Sequence, residues 1–537
     1  MLSLLCLLLV TSVICVNAQT VVATVPVGLN PQWVALNPVT NKIYVANEGD
    51  NTVTVIDGVT FNTTAVSVFS PSIAVVNPLT NKIYVGGATT YPTISVIDGA
   101  TLATSVVLSG VYLGQGPKSM AVNPVTDKIY AVTSNCDLVV IDGATQSTTT
   151  VSNDGCGFGG GSVAINTLTN KIYVTQETGT AVVVVDGASN NIVANVVLGA
   201  GYDAIEVNER TNKIYVASFR DNFVAVINGS SDSLLATLPV ETCYYGTGLG
   251  VNQLTDSIFV AGYQGIVTKV GGAATNMAAG TAHIGNSAPY DLKLDTQSNT
   301  VFVGSSSGYT VSFVNGATLF ANTLQVGNSV GNMAIDQTRK RLYVATGIGT
   351  AGNVLVFDGN GSLSVSAIGS GTVSSADGHI NCGANCTQPY YWGASVVYLT
   401  ALPNPGSTLA GWNGCDTSYG NICMVQVKGN QSVRAMFSPT QVTFNSFTFQ
   451  PSTVRLGSST IATLTLGAPA PSGGVTVALS SSKPISVHVP ETVYIPGGQA
   501  FTKFMIRTSR VRSSRSTVAI SATAGTALVT GHLVVTP

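Results

Sequence analysis

The side chains able to do chemistry in this chain are few and scattered. There are four histidines, His283, His379, His488 and His532. His283 has no second histidine or carboxylate at a spacing that would hold a metal ion or relay a proton. No nucleophile elbow, HExxH helix, phosphate loop or dinucleotide fingerprint occurs in context. Six acids, Glu48, Asp50, Asp154, Glu177, Asp221 and Glu241, fall between strand-like runs. Acids so placed could converge on a Ca²⁺ ion, or on the substrate of a hydrolase or lyase, but scattered loop acids also serve solubility alone. The expectation is a non-enzyme with no cofactor, Ca²⁺ being the one candidate ion.

Cysteines set the compartment. The first residues, MLSLLCLLLVTSVICVNAQT, form a short apolar run with a small-residue site before Gln19, although no Lys or Arg precedes it. This pattern predicts a signal peptide over residues 1–18, cleaved near Ala18-Gln19, and a secreted or cell-surface protein. Cys6 and Cys15 leave with that segment. Seven cysteines remain, which in an oxidising compartment read as disulfides with one left over. No other stretch is apolar for long enough to span a bilayer. Lys and Arg total 22 against 24 Asp and Glu, a net charge of −2, so the overall balance offers no case for a nucleic-acid partner. Only 9% of residues are charged and 45% are hydrophobic, with 57 glycines. Low charge, many β-branched residues and many turn formers indicate an all-β chain.

One phrase organises the first two-thirds. NPVTNKIYVA at Asn37–Ala46 is followed by VIDG at Val55–Gly58. Its copies are anchored by Tyr44, Tyr84, Tyr130, Tyr173, Tyr215, Phe259, Phe302 and Tyr343, a period of roughly 40–46 residues that indicates a propeller or an array. In the second copy, strands are expected at Ser72–Val76, Lys82–Val85, Thr93–Ile97 and Thr104–Leu108, joined by turns at Asn-Pro and Asp-Gly. The Asp-Gly pair would supply the positive φ angles of a tight two-residue hairpin. Its carboxylates read as turn residues rather than acids or metal ligands. Four such strands make one propeller blade. A lone strand at Thr20–Pro26 precedes the first copy and would complete the eighth. The expectation is an eight-bladed β-propeller, with seven blades as the alternative.

NPVTNKIYVA and VIDGAT resemble the YVTN-family β-propeller repeat of bacterial and archaeal surface and secreted proteins. The likeness covers about Thr20–Gly359, strongest in the first five copies. It implies a propeller fold and no single activity. On such a fold the repeated turns share one face. The loops that vary between copies, such as Ser109–Pro117, Ser152–Gly161, Val240–Gly248 and Ala345–Gly352, share the opposite one. Aromatic residues in or near those loops are Trp33, Tyr91, Tyr112, Phe158, Tyr202, Phe219, Tyr244, Tyr245, Tyr263 and Tyr290. Rings beside Gly and Asn suit a glycan or peptide, because a ring stacks on apolar faces while polar neighbours orient the ligand. The competing reading is that they fill the channel or pack between blades. Cys136 and Cys156 would share the variable face and could pair, leaving Cys243 over.

The repeat stops near Gly361. Residues 361–438, with GSGTV at Gly369–Val373 and GWNGC at Gly411–Cys415, resemble a small β-repeat module of secreted bacterial proteins. The spacings suggest two local disulfides, Cys382–Cys386 and Cys415–Cys423. A four-cysteine metal site is the alternative. Residues 439–537 carry seven short strand patterns and resemble bacterial Ig-like modules. Lys503, Arg507, Arg510, Arg512 and Arg515 form the one basic cluster, read either as a solvated face or as a site for an acidic surface polymer. Four segments follow: signal peptide 1–18, propeller 19–360, cysteine-containing module 361–438 and Ig-like β-sandwich 439–537. The function expected is binding of an unknown protein, peptide or glycan at the variable propeller face. A structural cell-envelope or surface-layer component and a propeller hydrolase or lyase are the alternatives.

Overall fold

Each copy of the repeat folds into one four-stranded antiparallel sheet. The computed structural model describes residues 21–537 except 88–92, 110–119, 134–136, 153–160, 176–179, 200–203, 219–221, 242–247, 263, 272–277, 286–287, 383–384, 393–395, 405–406, 428, 440, 472 and 511–513. The contacts divide the chain into two compact units. One comprises Met1–Gly361 with Tyr390–Ser395, the other Ser362–Pro389 with Val396–Pro537. Among the described residues the chain is strand and turn, apart from a single 3-10 turn at Glu48–Asp50.

In the first unit, sheet 1 consists of Pro31–Asn37, Lys42–Asn47, Thr52–Asp57 and Thr63–Ser67, paired in that order. Sheets 2 to 6 begin with Pro71–Asn77, Met120–Asn123, Val163–Asn166, Ala204–Asn208 and Gly248–Asn252. Sheet 7 is Pro289–Asp295, Thr300–Ser305, Thr310–Asn315 and Ala321–Gln325. Sheet 8 takes its first three strands from Val330–Asp336, Arg341–Thr346 and Ala351–Asp358. Its fourth is the N-terminal strand Val21–Leu29, antiparallel to Ala351–Asp358 with Val25 opposite Val354. The first strand of each sheet touches the first strand of the next, and Val330–Asp336 touches Pro31–Asn37.

Sequence pattern explains these layers. The second and third strands are buried on both sides, as in Lys42–Asn47 and Thr52–Asp57, so they read as unbroken runs such as IYVA and VTVI. The fourth strands are the more exposed ones, as in Thr63–Ser67 and Ile192–Val197. The aromatic anchors are fully buried between neighbouring sheets.

In the second unit, Ser362–Ile368 lies parallel to Asn430–Pro439, within the sheet order Asn385–Pro389, Ser362–Ile368, Asn430–Pro439, Ser407–Asn413. A five-stranded sheet is built around Val396–Pro403. The hairpin from Thr417–Tyr419 to Ile422–Gln426 is tied by the Cys415–Cys423 disulfide. Cys386 is also disulfide-bonded, while the side chain of Cys382 lies outside the described residues. Residues 444–536 form a four-stranded and a five-stranded sheet around one core that includes Leu464, Ile506, Val477, Val518 and Leu533. Two strands join the seven expected there, Thr453–Arg455 and Thr492–Ile495. Both are edges of the five-stranded sheet. A short edge strand buries too little to leave a clear alternation in sequence.

Candidate functional site

The recurrent phrase is occupied in holding sheets together. Asn37, at the end of the first strand, is fully buried. Its carbonyl oxygen Oδ1 accepts the amide hydrogens of Val39 (3.0 Å) and Thr40 (3.3 Å). Its Nδ2 donates to Oδ1 of Asn81 in the next sheet at 2.8 Å. The same link joins Asn77 to Asp127, Asn123 to Asn170, Asn166 to Asn212, Asn208 to Asp256 and Asn252 to Asn299, at 2.6–2.9 Å. The lysine of the phrase reaches forward too. Lys42, Lys82, Lys128 and Lys171 donate to the carbonyls of Gly99, Gly143, Gly187 and Gly229. Buried amides and carbonyls are costly unless paired, so each copy needs the next one.

These turns correct one expectation. The positive φ does not fall on Asp-Gly. It falls on the asparagine of the phrase, as at Asn41 (52°) and Asn81 (54°), and on the residue four beyond the Asp, as at Phe61 (59°) and Leu102 (62°). Asp57 instead caps a four-residue loop, accepting the amides of Thr60 (2.9 Å) and Val59 (3.0 Å) and the hydroxyl of Thr60. Those bonds, the Thr60 amide first, hold its carboxyl below the usual range. The glycine is required by space: a Cβ on Gly99 would stand 2.7 Å from the carbonyl oxygen of Asn81.

Polar groups gather instead where the first strands of sheets 7, 8 and 1 touch one another. A cavity of about 390 Å³ is lined by Trp33, Leu36, Val75, Val76, Val122, Lys293, Asn332, Met333 and Ile335, among others. Its lining is apolar except around Asp291. That carboxylate accepts Lys293 Nζ (2.7 Å), Asn332 Nδ2 (3.0 Å) and the amide of Met333 (2.8 Å). Asn332 Oδ1 accepts the amide of Val34 at 3.3 Å. One chain of hydrogen bonds thus crosses sheets 7, 8 and 1. Trp33 packs against the cores on both sides of sheet 2 while its residue also lines the cavity. Tyr290 is 38% exposed. Burial, followed by the charges of Asp291 and Glu48, pushes its phenol pKa up. Nearby, Asn30 donates to Glu48 Oε2 (3.0 Å) and accepts from Gln32 Nε2 (2.9 Å) and the amide of Gly349 (2.7 Å). The cavity can present the Trp33 side chain and the Lys293 ammonium, held by Asp291, to one ligand.

Of the ten aromatics expected to bind, Trp33 lines this cavity, whereas Tyr290, next to Asp291 in the chain, is not among its lining residues. Tyr91, Tyr112, Phe158, Tyr202, Phe219, Tyr244, Tyr245 and Tyr263 lie outside the described residues, as do Cys136, Cys156 and Cys243, the acids Asp154, Glu177 and Asp221, and the whole of residues 1–18. Asp50 ties its loop to the end of Val21–Leu29, accepting the Leu29 amide (3.0 Å) as well as the Thr52 hydroxyl (2.7 Å). Glu241 and His283 are exposed. Among the described residues no three His, Cys, Asp or Glu are grouped to hold a metal ion, and no helix is long and apolar enough to cross a membrane.

Residues 361–441 match the family model of the divergent InlB B-repeat domain. That domain is what this part of the chain is similar to. No curated protein is similar enough to the chain to count as a relative.

Sequence reading missed Asp291, Lys293 and Asn332. A signal was present. Two positions before the buried Asn or Asp that ends each first strand, six copies have Ala35, Val75, Ala121, Ala164, Gly250 and Ala334, whereas the fifth and seventh have Glu206 and Lys293. A charge at a position otherwise held by small apolar residues marks a departure from pure packing.

Proposed function

We propose that the chain is an exported, non-catalytic binding protein. In this reading the eight sheets are the blades of a β-propeller closed by Val21–Leu29, and a glycan or peptide is held where the first strands converge. Support for closure comes from the contact of Val330–Asp336 with Pro31–Asn37 and from the pairing of Val21–Leu29 with Ala351–Asp358. The observation that carries the binding reading is the Asp291–Lys293 pair beside Trp33 in an otherwise apolar cavity. Buried polar groups in an apolar pocket orient ligands, and the ring supplies contact area. The likeness of residues 361–441 to the InlB B-repeat domain supports a surface or adhesion-type protein.

A thermal-shift screen of the full chain against neutral and charged oligosaccharides and short peptides tests it. A stabilising ligand is expected, and its effect should fall in Trp33→Ala and Lys293→Ala. If no ligand class shifts the melting temperature, or if both variants respond as the parent does, the reading fails.

A specific observation favours a second reading, a self-assembling envelope component. The residue after Asn-Pro or its equivalent is exposed and aliphatic in five copies: Val39, Leu79, Val125, Leu168 and Leu254. A repeated apolar belt suits stacking between copies. Light scattering of the full chain distinguishes the readings: ordered assemblies lost on mutation of the belt to Ser support the second.

A further inference from the structure

The net charge of −2 conceals two regions of opposite sign. Residues 440–537 contain two Lys and five Arg against the single acid Glu491, so 7 − 1 gives +6. The remaining residues contain 22 − 7 = 15 basic and 24 − 1 = 23 acidic side chains, a balance of −8. Such asymmetry marks a region built to meet a polyanion.

The fold concentrates part of that charge on one surface. Phe501, Lys503, Met505 and Arg507 alternate outward along Phe501–Thr508, and all are exposed, Phe501 by 48% and Met505 by 52%. Across the strand pair, Ile461, 50% exposed, stands opposite Met505, with Thr463 opposite Lys503 and Ser459 opposite Arg507. His488 faces Arg507 from the other side. Lys503 Nζ lies 5.9 Å from the Phe501 ring centroid. Among the described residues, neither Lys503 nor Arg507 joins an ion pair. Glu491 adjoins Thr492–Ile495, in the other sheet of this fold. The outward face of the strands Phe444–Gln450, Ser459–Leu466 and Phe501–Thr508 therefore holds cations, hydroxyls and apolar side chains with no acid to neutralise them.

We propose that this sheet face binds an acidic polysaccharide. Lys503 and Arg507, about 13 Å apart along the strand, would pair with carboxylates on separated sugar units. Met505 and Ile461, lying between them, would meet the apolar faces of the intervening rings. The Ser and Thr hydroxyls would exchange hydrogen bonds with sugar hydroxyls. A flat strand face with its apolar residues set between cations suits a polymer lying across it. A membrane would be met better by apolar side chains at protruding loops, and a nucleic acid by several stacking rings rather than Phe501 alone.

The test uses the full chain over immobilised polygalacturonate, with neutral dextran, anionic phosphatidylglycerol vesicles and a single-stranded oligonucleotide as comparison surfaces. Retention on polygalacturonate but not on dextran is expected, falling about tenfold when salt is raised from about 0.05 M to about 0.5 M. Lys503→Gln/Arg507→Gln should lose about tenfold in affinity with an unchanged melting temperature, since both residues are exposed. Met505→Gln, which keeps the charge, should weaken binding without changing the salt dependence. The proposal is overturned if polygalacturonate is not retained, if the folded double variant binds like the parent, or if vesicles or the oligonucleotide bind more tightly.

Discussion

Lys340 Nζ sits 2.9 and 2.8 Å from the two carboxylate oxygens of Asp295, with both side chains buried. At the six preceding junctions the same two positions carry an amide donating to Asn or Asp. The seventh junction has replaced both members together, Asn by Asp and Asn by Lys. Lys340 also donates to Gln297 Oε1 at 2.9 Å. Removing one charge strands the other: Lys340→Asn should lower stability by about 3–5 kcal/mol. The double variant Asp295→Asn/Lys340→Asn recreates the amide pair and should recover most of that loss. Denaturant melts of the four forms of the cycle measure it. A double variant no better than Lys340→Asn would show that the charge pair is not an exchange for the amide link.

Trp392 completes this junction. Its indole Nε1 donates to Asp295 Oδ2 at 2.7 Å, its amide donates to the Gly359 carbonyl at 2.8 Å, and its ring meets Phe302 with centroids 4.6 Å apart. Trp392→Ala should cost about 3–5 kcal/mol through the cavity it leaves. Trp392→Phe keeps most of the packing and removes one donor from a buried carboxylate, a loss of about 1–3 kcal/mol. Trp392 is the one fully buried tryptophan among the described residues, so the fraction of emission shielded from iodide should fall in both variants. Equal quenching of parent and variants would remove Trp392 from the interior.

The repeat period and the alternation of turn and strand were legible because they depend on residues close in sequence. A run such as KIYVA between Asn and Asp-Gly announces a strand whatever surrounds it. What stayed hidden depends on the next copy. Asn37 and Lys42 look like turn and surface residues until Asn81 and Gly99, more than 40 positions on, are seen to accept from them. Asp-Gly looked like a source of positive φ, whereas its glycine answers to the crowding of Asn81. At the cavity, Trp33 was visible as an exposed type in a variable segment. Asp291 and Lys293 were not, because a charged pair on a strand reads as a solvent face until Asn332 and Met333, 41 and 42 positions on, are seen to bond Asp291.

The Cys415–Cys423 disulfide closes a loop of sequence separation 8 with Cys423 fully buried. By loop-closure entropy a ring of that size is worth about 2–3 kcal/mol. Cys415→Ser/Cys423→Ser should lower the stability of the second unit by about that amount. Substitution is the proper test, since a reductant would also open the disulfide of Cys386. A variant as stable as the parent would show that pairing along Thr417–Tyr419 and Ile422–Gln426 already fixes the hairpin.

Alkali should unfold the repeats for a specific reason. Burial pushes the phenols of Tyr44, Tyr84 and Tyr130 up to about 12, aided by Asp98 on Tyr44, Asp127 and Asp142 on Tyr84, and Asp186 on Tyr130. Tyr173 and Tyr215 are raised further, by burial and then by Asp232 and Asp256. Among the described residues, the hydroxyls of Tyr44 and Tyr84 have no hydrogen-bond partner. The folded value lies above the unfolded one, about 10. The neutral phenol's contribution is therefore complete below about pH 10 and is lost as pH rises through the folded value. Between about pH 10 and 12 the folded state holds protons that the unfolded state has released. Stability should then fall with a slope of about 4 kcal/mol per pH unit for Tyr44, Tyr84 and Tyr130 together. Phenolate absorbance from these residues should appear in step with the loss of β circular dichroism. Tyr44→Phe/Tyr84→Phe should flatten the slope by about two-thirds of that value. Phenolate forming gradually while the fold remains intact would show that these rings reach water without unfolding.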